Sequence, residues 1–207
     1  MTKVPKPKKD YDARVEIIEH AVASILEAMN EDIREGLEQT PRRFAEMMMN
    51  EVCRDGDPLA RELSTIFAEE KIIREQIVLK DLPFCSFCEH HLIPYFGKVS
   101  VGYIPKTKVI GLSKIARLVV AAGRGFTIQE RVTERIADAL EQKLEPVGVM
   151  VVVEAVHTCM VVRGVKAIGS STVTSALRGL YRDSDGARSE FFSLAGRRST
   201  NDLGSIL

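Results

Sequence analysis

The sequence predicts an α+β protein in which N-terminal helices precede an antiparallel sheet with two helices inserted. Apolar residues recur at helical spacing before Lys71, and β-branched residues gather in strand-length runs after it. Two amphipathic segments, opening near Ser113 and Thr127, interrupt those runs. The chain of 207 residues can bury a sizeable core, and 45% hydrophobic with 28% charged residues is ordinary for a globular protein. Lys+Arg and Asp+Glu balance at 29 each, so no overall field draws the chain to nucleic acid or to a membrane surface. No apolar run approaches the roughly 20 residues of a membrane-spanning helix. Four cysteines without a signal peptide read as reduced thiols in the cytoplasm, not as a disulfide framework.

Residues 1–12 read as a disordered basic tail, rich in Lys and Pro. Within 14–30, Ile18, Val22, Ile25 and Met29 fall on one face of an expected helix. A second helix is expected from Thr40, as N-cap, and Pro41, at its first position. It carries Phe44, Met47 and Met48 and stops before the turn signal Asp55-Gly56-Asp57-Pro58, so 13–70 forms a helical region. The next domain, 71–195, opens with strands over 72–80 and 98–105, where Val99, Val101 and Tyr103 share a side. Ser113 can cap a helix over 114–122 that Gly123 closes. Thr127-Ile-Gln-Glu130 has capping-box spacing and opens a helix with Val132, Ile136, Ala139 and Leu140 on one face, ended by Pro146.

Residues 147–165 are nearly unbroken Val, Met and Ala and are expected as strand. A period of two would put His157, Cys159 and Arg163 on one face. A strand over 172–177 and a helix over 189–194 follow, with 196–207 as a flexible tail.

The stretch from Cys85 to Pro94 reads Cys-Ser-Phe-Cys-Glu-His-His-Leu-Ile-Pro, and His157 and Cys159 follow much later. Thiolate and imidazole are the donors zinc prefers, so the spacing points to a zinc site assembled from two distant pieces of chain. Two arrangements fit. In an open site Cys88 and His91, at i and i+3, point inward from a tight turn and Cys159 closes the triangle, leaving a position for water. In a closed site Cys85, Cys88, Cys159 and a histidine fill all four positions. Ordinary structural readings compete for the rest: His157 as a core histidine, Glu130 as the end of a capping box, Ser113 as a cap, Lys114 and Arg117 as a solvated face. Cys53 stands alone in a polar loop. Arg163 in an apolar strand resists such a reading, because a buried guanidinium needs a partner, and a phosphate would be one.

Six segments together resemble GTP cyclohydrolase I, in that family's order and over about 40–194. They begin at Cys88 (CEHHLIP), Gly111 (GLSKIAR), Ile128 (IQERVT), Glu154 (EAVHTCM), Arg163 (RGV) and Thr172 (TVTSALRG). The resemblance implies a tunnelling fold whose subunits close a β-barrel ring, two pentameric rings stacking into a homodecamer with active sites at subunit interfaces. It implies hydrolysis of GTP at C8, release of formate and formation of 7,8-dihydroneopterin triphosphate, the first step toward folate or tetrahydrobiopterin. Carried over by position, Cys88, His91 and Cys159 would bind Zn2+, which would activate the attacking water. His157 would donate protons with His90 beside it, Gln129 would position the opening ring and Ser113 would serve the ribose steps. Glu130 would anchor guanine, and Lys114, Arg117 and Arg163 would hold the triphosphate.

The chain departs from the family pattern over 120–125, Val-Ala-Ala-Gly-Arg-Gly, and at Cys85, and neither change touches an implied ligand. A closed-site zinc module would explain only the cysteines. A related tunnelling-fold enzyme of pterin or deazapurine metabolism would share the architecture but not the pairing of Gln129 with Glu130.

Overall fold

The computed structural model describes residues 8–32, 34–54, 58–63, 66–68 and 75–196. The chain divides into two compact units at Cys53/Arg54. In the first, α1 (Lys8–Ala28) starts within the stretch expected as tail, and Val15, Ala45 and Met49 form a small core with Tyr11, Ile18 and Cys53 packed against it. Ile25 and Met29 stay 56% and 68% exposed, so this unit covers only the first half of the helix's apolar stripe. After α2 (Glu35–Glu38) comes α3 (Thr40–Met47), with Pro41 in its first turn as expected. Gln39, not Thr40, holds the N-cap position; the Thr40 hydroxyl instead donates to the Gly36 carbonyl at 3.3 Å. A π-helical turn, Met48–Val52, follows. The turn signal at 55–57 lies outside the described residues.

The second unit runs through α4 (Pro58–Glu62), β1 (Ile66–Ala68), β2 (Ile77–Cys88), β3 (Pro94–Ile104) and β4 (Lys108–Ile110). It continues with α5 (Leu112–Gly123), β5 (Phe126–Thr127), α6 (Gln129–Leu144), β6 (Gly148–His157) and α7 (Thr158–Val161). β7 (Thr172–Gly179), α8 (Leu180–Asp183) and α9 (Asp185–Ala195) close it. The main sheet has the order β5-β2-β3-β6-β7, antiparallel except for β5, which runs parallel to β2; β1 and β4 form a separate pair.

β2 extends well past the expected end at Lys80, because Leu82, Phe84, Ser86 and Cys88 keep a period of two and turn toward the core. The cysteines therefore sit on the strand and only 89–93 form the connection. A bulge between Leu79 and Leu82, where Asp81 takes φ 55°, bends the strand.

Val99, Val101 and Tyr103 of β3 and Val149, Val151 and Val153 of β6 are fully buried with Ile115, Leu118, Ile136 and Leu140 of α5 and α6. Each such side chain contributes roughly 1.5–3 kcal/mol on burial. Met150, Tyr181 and Phe191 make a smaller core on the other face, with α9. Gly123 lets α5 close on β2, since a Cβ there would stand 2.4 Å from the Cys85 carbonyl oxygen.

Neither expected cap forms on the inserted helices. Gly111 occupies the N-cap of α5, and Ser113 lies exposed in its first turn. Ile128 occupies that of α6, because Thr127 is already committed to β5, paired with Cys88. The stretch 147–165 is not one strand. β6 stops at His157, the Thr158 hydroxyl bonds the Pro94 carbonyl, and Val162 N–H closes a helical turn on the Thr158 carbonyl at 2.9 Å. His157, Cys159 and Arg163 thus do not share a strand face, and Arg163 is exposed in the following loop, not buried. Gly196 is described, and the remainder of the expected tail, 197–207, is outside the described residues.

Candidate metal centre and active site

The ladder between β3 and β6 sets Tyr95 directly opposite His157. Cys88 ends β2 one tight turn earlier; its N–H bonds the Ile93 carbonyl and its carbonyl receives Leu92 N–H, both at 2.9 Å. That turn brings His91 beside Cys88, while the helical turn after His157 swings Cys159 over the same spot. The donor atoms of Cys88, His91 and Cys159 all lie within 4.8 Å of one another. Cys88 Sγ stands 3.7 Å from His91 Nδ1 and 3.8 Å from His90 Nδ1.

A tetrahedral zinc, with bonds of about 2.3 Å to sulfur and about 2.0–2.1 Å to nitrogen, requires neighbouring donors roughly 3.4–3.8 Å apart. The Cys88–His91 pair has that spacing, Cys159 stands within 4.8 Å of both, and the soft donor set suits such an ion. Burial, then the neighbouring Cys88, pushes the Cys159 thiol up, and a bound cation is what would stabilise its thiolate. Cys85 does not join the donor set among the described residues. It lies on the strand position opposite in pleat to Cys88, and burial raises its thiol pKa as well.

His157 stacks on Tyr95, with ring centroids 4.6 Å apart and planes 7° from parallel. Burial lowers its pKa, against a smaller opposing pull from the Glu130 carboxylate, so the imidazole is held toward its neutral form. Its Nε2 lies 2.8 Å from Gln129 Oε1. Gln129 itself is 1% exposed, and its Nε2 faces the Val153 and Thr172 carbonyls at 3.0 and 2.9 Å and Thr174 Oγ1 at 3.1 Å. Arg178 holds β7 against α6 through Glu134, Asp138 and Glu141. Arg131 grips Glu89 at 2.6 Å, tying the cysteine–histidine turn to the same helix.

The structure thus brings together Cys88, His90, His91, Gln129, His157 and Cys159, with Glu130 and Arg163 close enough to act electrostatically on His157 and Cys159 respectively. Ser113, Lys114 and Arg117 stand on a different element, the first two turns of α5; Ser113 and Arg117 are exposed and Lys114 is half-buried. Sequence reasoning missed Tyr95, Thr133, Thr158 and Thr174. Their partners depend on strand register and on the helical turn at Thr158, which no local pattern records.

Residues 18–196 match the profile of a family described as GTP cyclohydrolase I. The chain is 52% identical over 181 residues to GTP cyclohydrolase 1 of Halalkalibacterium halodurans, covering 86% of this chain and 95% of that one. It is 50% identical over 179 residues to the protein of the same name from Geobacillus kaustophilus, covering 86% and 94%. Against that of Carboxydothermus hydrogenoformans it is 48% identical over 186 residues, covering 89% and 96%.

Proposed function

The chain belongs to the GTP cyclohydrolase I family, and from that premise we propose that it is a zinc-dependent enzyme that hydrolyses GTP at C8, releases formate and forms 7,8-dihydroneopterin triphosphate. The observation that carries this reading is the meeting of Cys88, His91 and Cys159 within 4.8 Å, next to a histidine kept toward neutrality.

Cys88, His91 and Cys159 would hold Zn2+, which when bound supplies Lewis-acid chemistry for hydrolysis. The remaining work belongs to the chain. Glu130, exposed beside His157, accepts hydrogen bonds from guanine N1 and its 2-amino group, a charge-assisted pair. His157 moves protons to and from the purine nitrogens, with His90 beside it, and the Tyr95 stack keeps the imidazole plane in one orientation. Gln129 serves the ring-opening step through its bond to His157. Arg163 reaches the triphosphate from the exposed loop after α7, while Lys114 and Arg117 bind phosphate oxygens and Ser113 serves the ribose steps.

The family assembles into oligomers, and our reading is a decamer of two stacked pentamers in which α5 of one subunit completes the site of another. It is supported by β7, which sits at the end of the sheet order with one side unpaired among the described residues. None of the four cysteines forms a disulfide, in keeping with a reducing, cytoplasmic setting, and no described helix is long and apolar enough to cross a membrane.

The test is an anaerobic assay of the zinc-loaded protein with GTP, following formate and pterin fluorescence in the same sample. Both signals, abolished by chelator, are expected. Neither signal with metal bound stoichiometrically would refute the reading, and formate without pterin would confine the activity to ring opening.

A further inference from the structure

On the face of the sheet away from α5 and α6, the C-terminal end of α9 overhangs a cavity of about 190 Å³. Ser100 of β3 and Val152 and Glu154 of β6 line it from the sheet, Val173 from β7, and Phe191 and Phe192 from α9. Glu154 and His157 stand three apart on one strand, so their side chains leave the sheet on opposite sides, and the cavity is separate from the metal centre. The two phenyl rings meet at 78° with centroids 5.5 Å apart and make an apolar corner. Ser100 is only 7% exposed, and its hydroxyl, on the lining, bonds no described residue. Ser171 Oγ lies 3.5 Å from Glu154 Oε1, but a carboxylate offers about four acceptor positions, so that contact does not exhaust it. Lys98, the partner of Glu154 across the β3–β6 ladder, pairs with Asp81 at 4.0 Å.

We propose that this cavity is a binding site for a flat aromatic molecule with an amidine-type edge, two N–H donors side by side. The carboxylate only accepts, so its partner must donate, and two coplanar N–H groups match its two oxygens in a charge-assisted fork. The Ser100 hydroxyl can give a hydrogen to that edge or take one from it. The phenyl corner selects the rest of the molecule: a ring stacks on one face and meets the other edge-on, whereas a flexible alkyl ammonium brings a point charge and leaves the corner unfilled. Size sets the limit. At the interior packing density of about 0.75 the space takes roughly ten non-hydrogen atoms, a single ring and its polar edge. A few convergent polar groups at the floor of an apolar concavity is the usual make-up of a small-molecule site.

The test is titration calorimetry of the zinc-loaded, full-length protein with benzamidine, whose amidinium and single ring carry both features. A Kd of about 0.1–1 mM is expected for a ligand of about nine non-hydrogen atoms. Benzamide has the same shape but turns an oxygen toward the carboxylate, and it should bind at least about 10-fold more weakly. Glu154→Gln should weaken benzamidine by about the same factor. Phe192→Ala changes a ring that is 47% exposed, so the fold should survive it, and it should weaken binding about fivefold by opening the corner. Glu130→Ala should leave binding unchanged; its loss there would place the probe in the guanine-reading site and overturn the proposal. No saturable binding by the wild type, or benzamide binding as tightly as benzamidine, would overturn it too. Should Glu154→Gln fail to fold, Phe192→Ala and the comparison of the two probes on the wild type decide. Binding is read without turnover, so the outcome does not depend on cyclohydrolase activity.

Discussion

Replacing Arg178 by Met tests what holds β7 against α6. The guanidinium is only 10% exposed on its side chain, donates to Asp138 Oδ1 at 2.6 Å, bonds the Glu134 carboxylate and lies 3.4 Å from Glu141. It also donates to the Leu177 carbonyl at 2.9 Å. Charge-assisted bonds are worth about 1.5–3 kcal/mol, but these carboxylates are about half exposed, and solvent screening brings the expected contribution to about 1–2 kcal/mol. Methionine keeps the apolar stem while leaving Glu134, Asp138 and Glu141 stacked on one helical face. Their repulsion adds roughly 0.2–0.5 kcal/mol per neighbouring pair. A loss of about 1.5–3 kcal/mol follows, which lowers Tm by roughly 3–12 °C for a chain of this size. Thermal melts at one fixed protein concentration read it directly, and the gap between variant and wild type should narrow at 1 M salt as screening weakens the pairs. An unchanged midpoint at low salt would refute the reasoning.

Other outcomes follow from the same geometry. Cys159→Ala should lose both metal and turnover, whereas His157→Ala should keep metal, measured by elemental analysis, and lose turnover; equal metal loss in both would contradict the division of roles. Burial pushes Tyr95 up to about 12, so the folded state holds that proton after the unfolded chain has released it near its ordinary pKa of 10.0. Stability should therefore fall as pH rises through that window, and less so in Tyr95→Phe, as read by urea unfolding at alkaline pH. Among the described residues Tyr95 Oη meets no partner in good hydrogen-bond geometry, with Ser86 the only hydroxyl acting on it, so Tyr95→Phe should cost little in stability at neutral pH; a loss above about 1 kcal/mol would show that Ser86 bonds it fully. Gly97→Ala puts a Cβ 2.0 Å from the Glu154 carbonyl oxygen and should destabilise by the upper end of about 1–3 kcal/mol or more; normal melting would show that β3 and β6 can part there.

Periodicity made α6 legible, because Val132, Ile136 and Leu140 are spaced for one buried face, and the alternation of Val99, Val101 and Tyr103 did the same for β3. The metal ligands were readable as a set of residue types, and the open three-donor arrangement was one of two that spacing allowed. The helical turn at Thr158 was not readable. Val-rich composition favours strand, and what overrules it is a hydroxyl meeting a carbonyl on β3, a contact made only after the sheet has formed. The same holds for the caps: Ser113 and Thr127 have the right chemistry but stand two positions past the N-cap of α5 and one position before that of α6. The contact between His157 and Gln129 joins β6 to the first residue of α6, and no spacing within either element announces it.

The ladder from Tyr95↔His157 to Ile104↔Gly148 runs for ten consecutive pairs without a shift in register. It therefore acts as a ruler between the two pieces of the metal centre. A single-residue insertion or deletion in β3 or β6 would turn every side chain beyond it to the opposite face and carry His157 away from Tyr95 and Gln129. Length variation among related chains should accordingly be absent from these two strands and should collect in the exposed loop between α7 and β7, beyond Arg163, where adding a residue moves none of Cys88, His91 and Cys159.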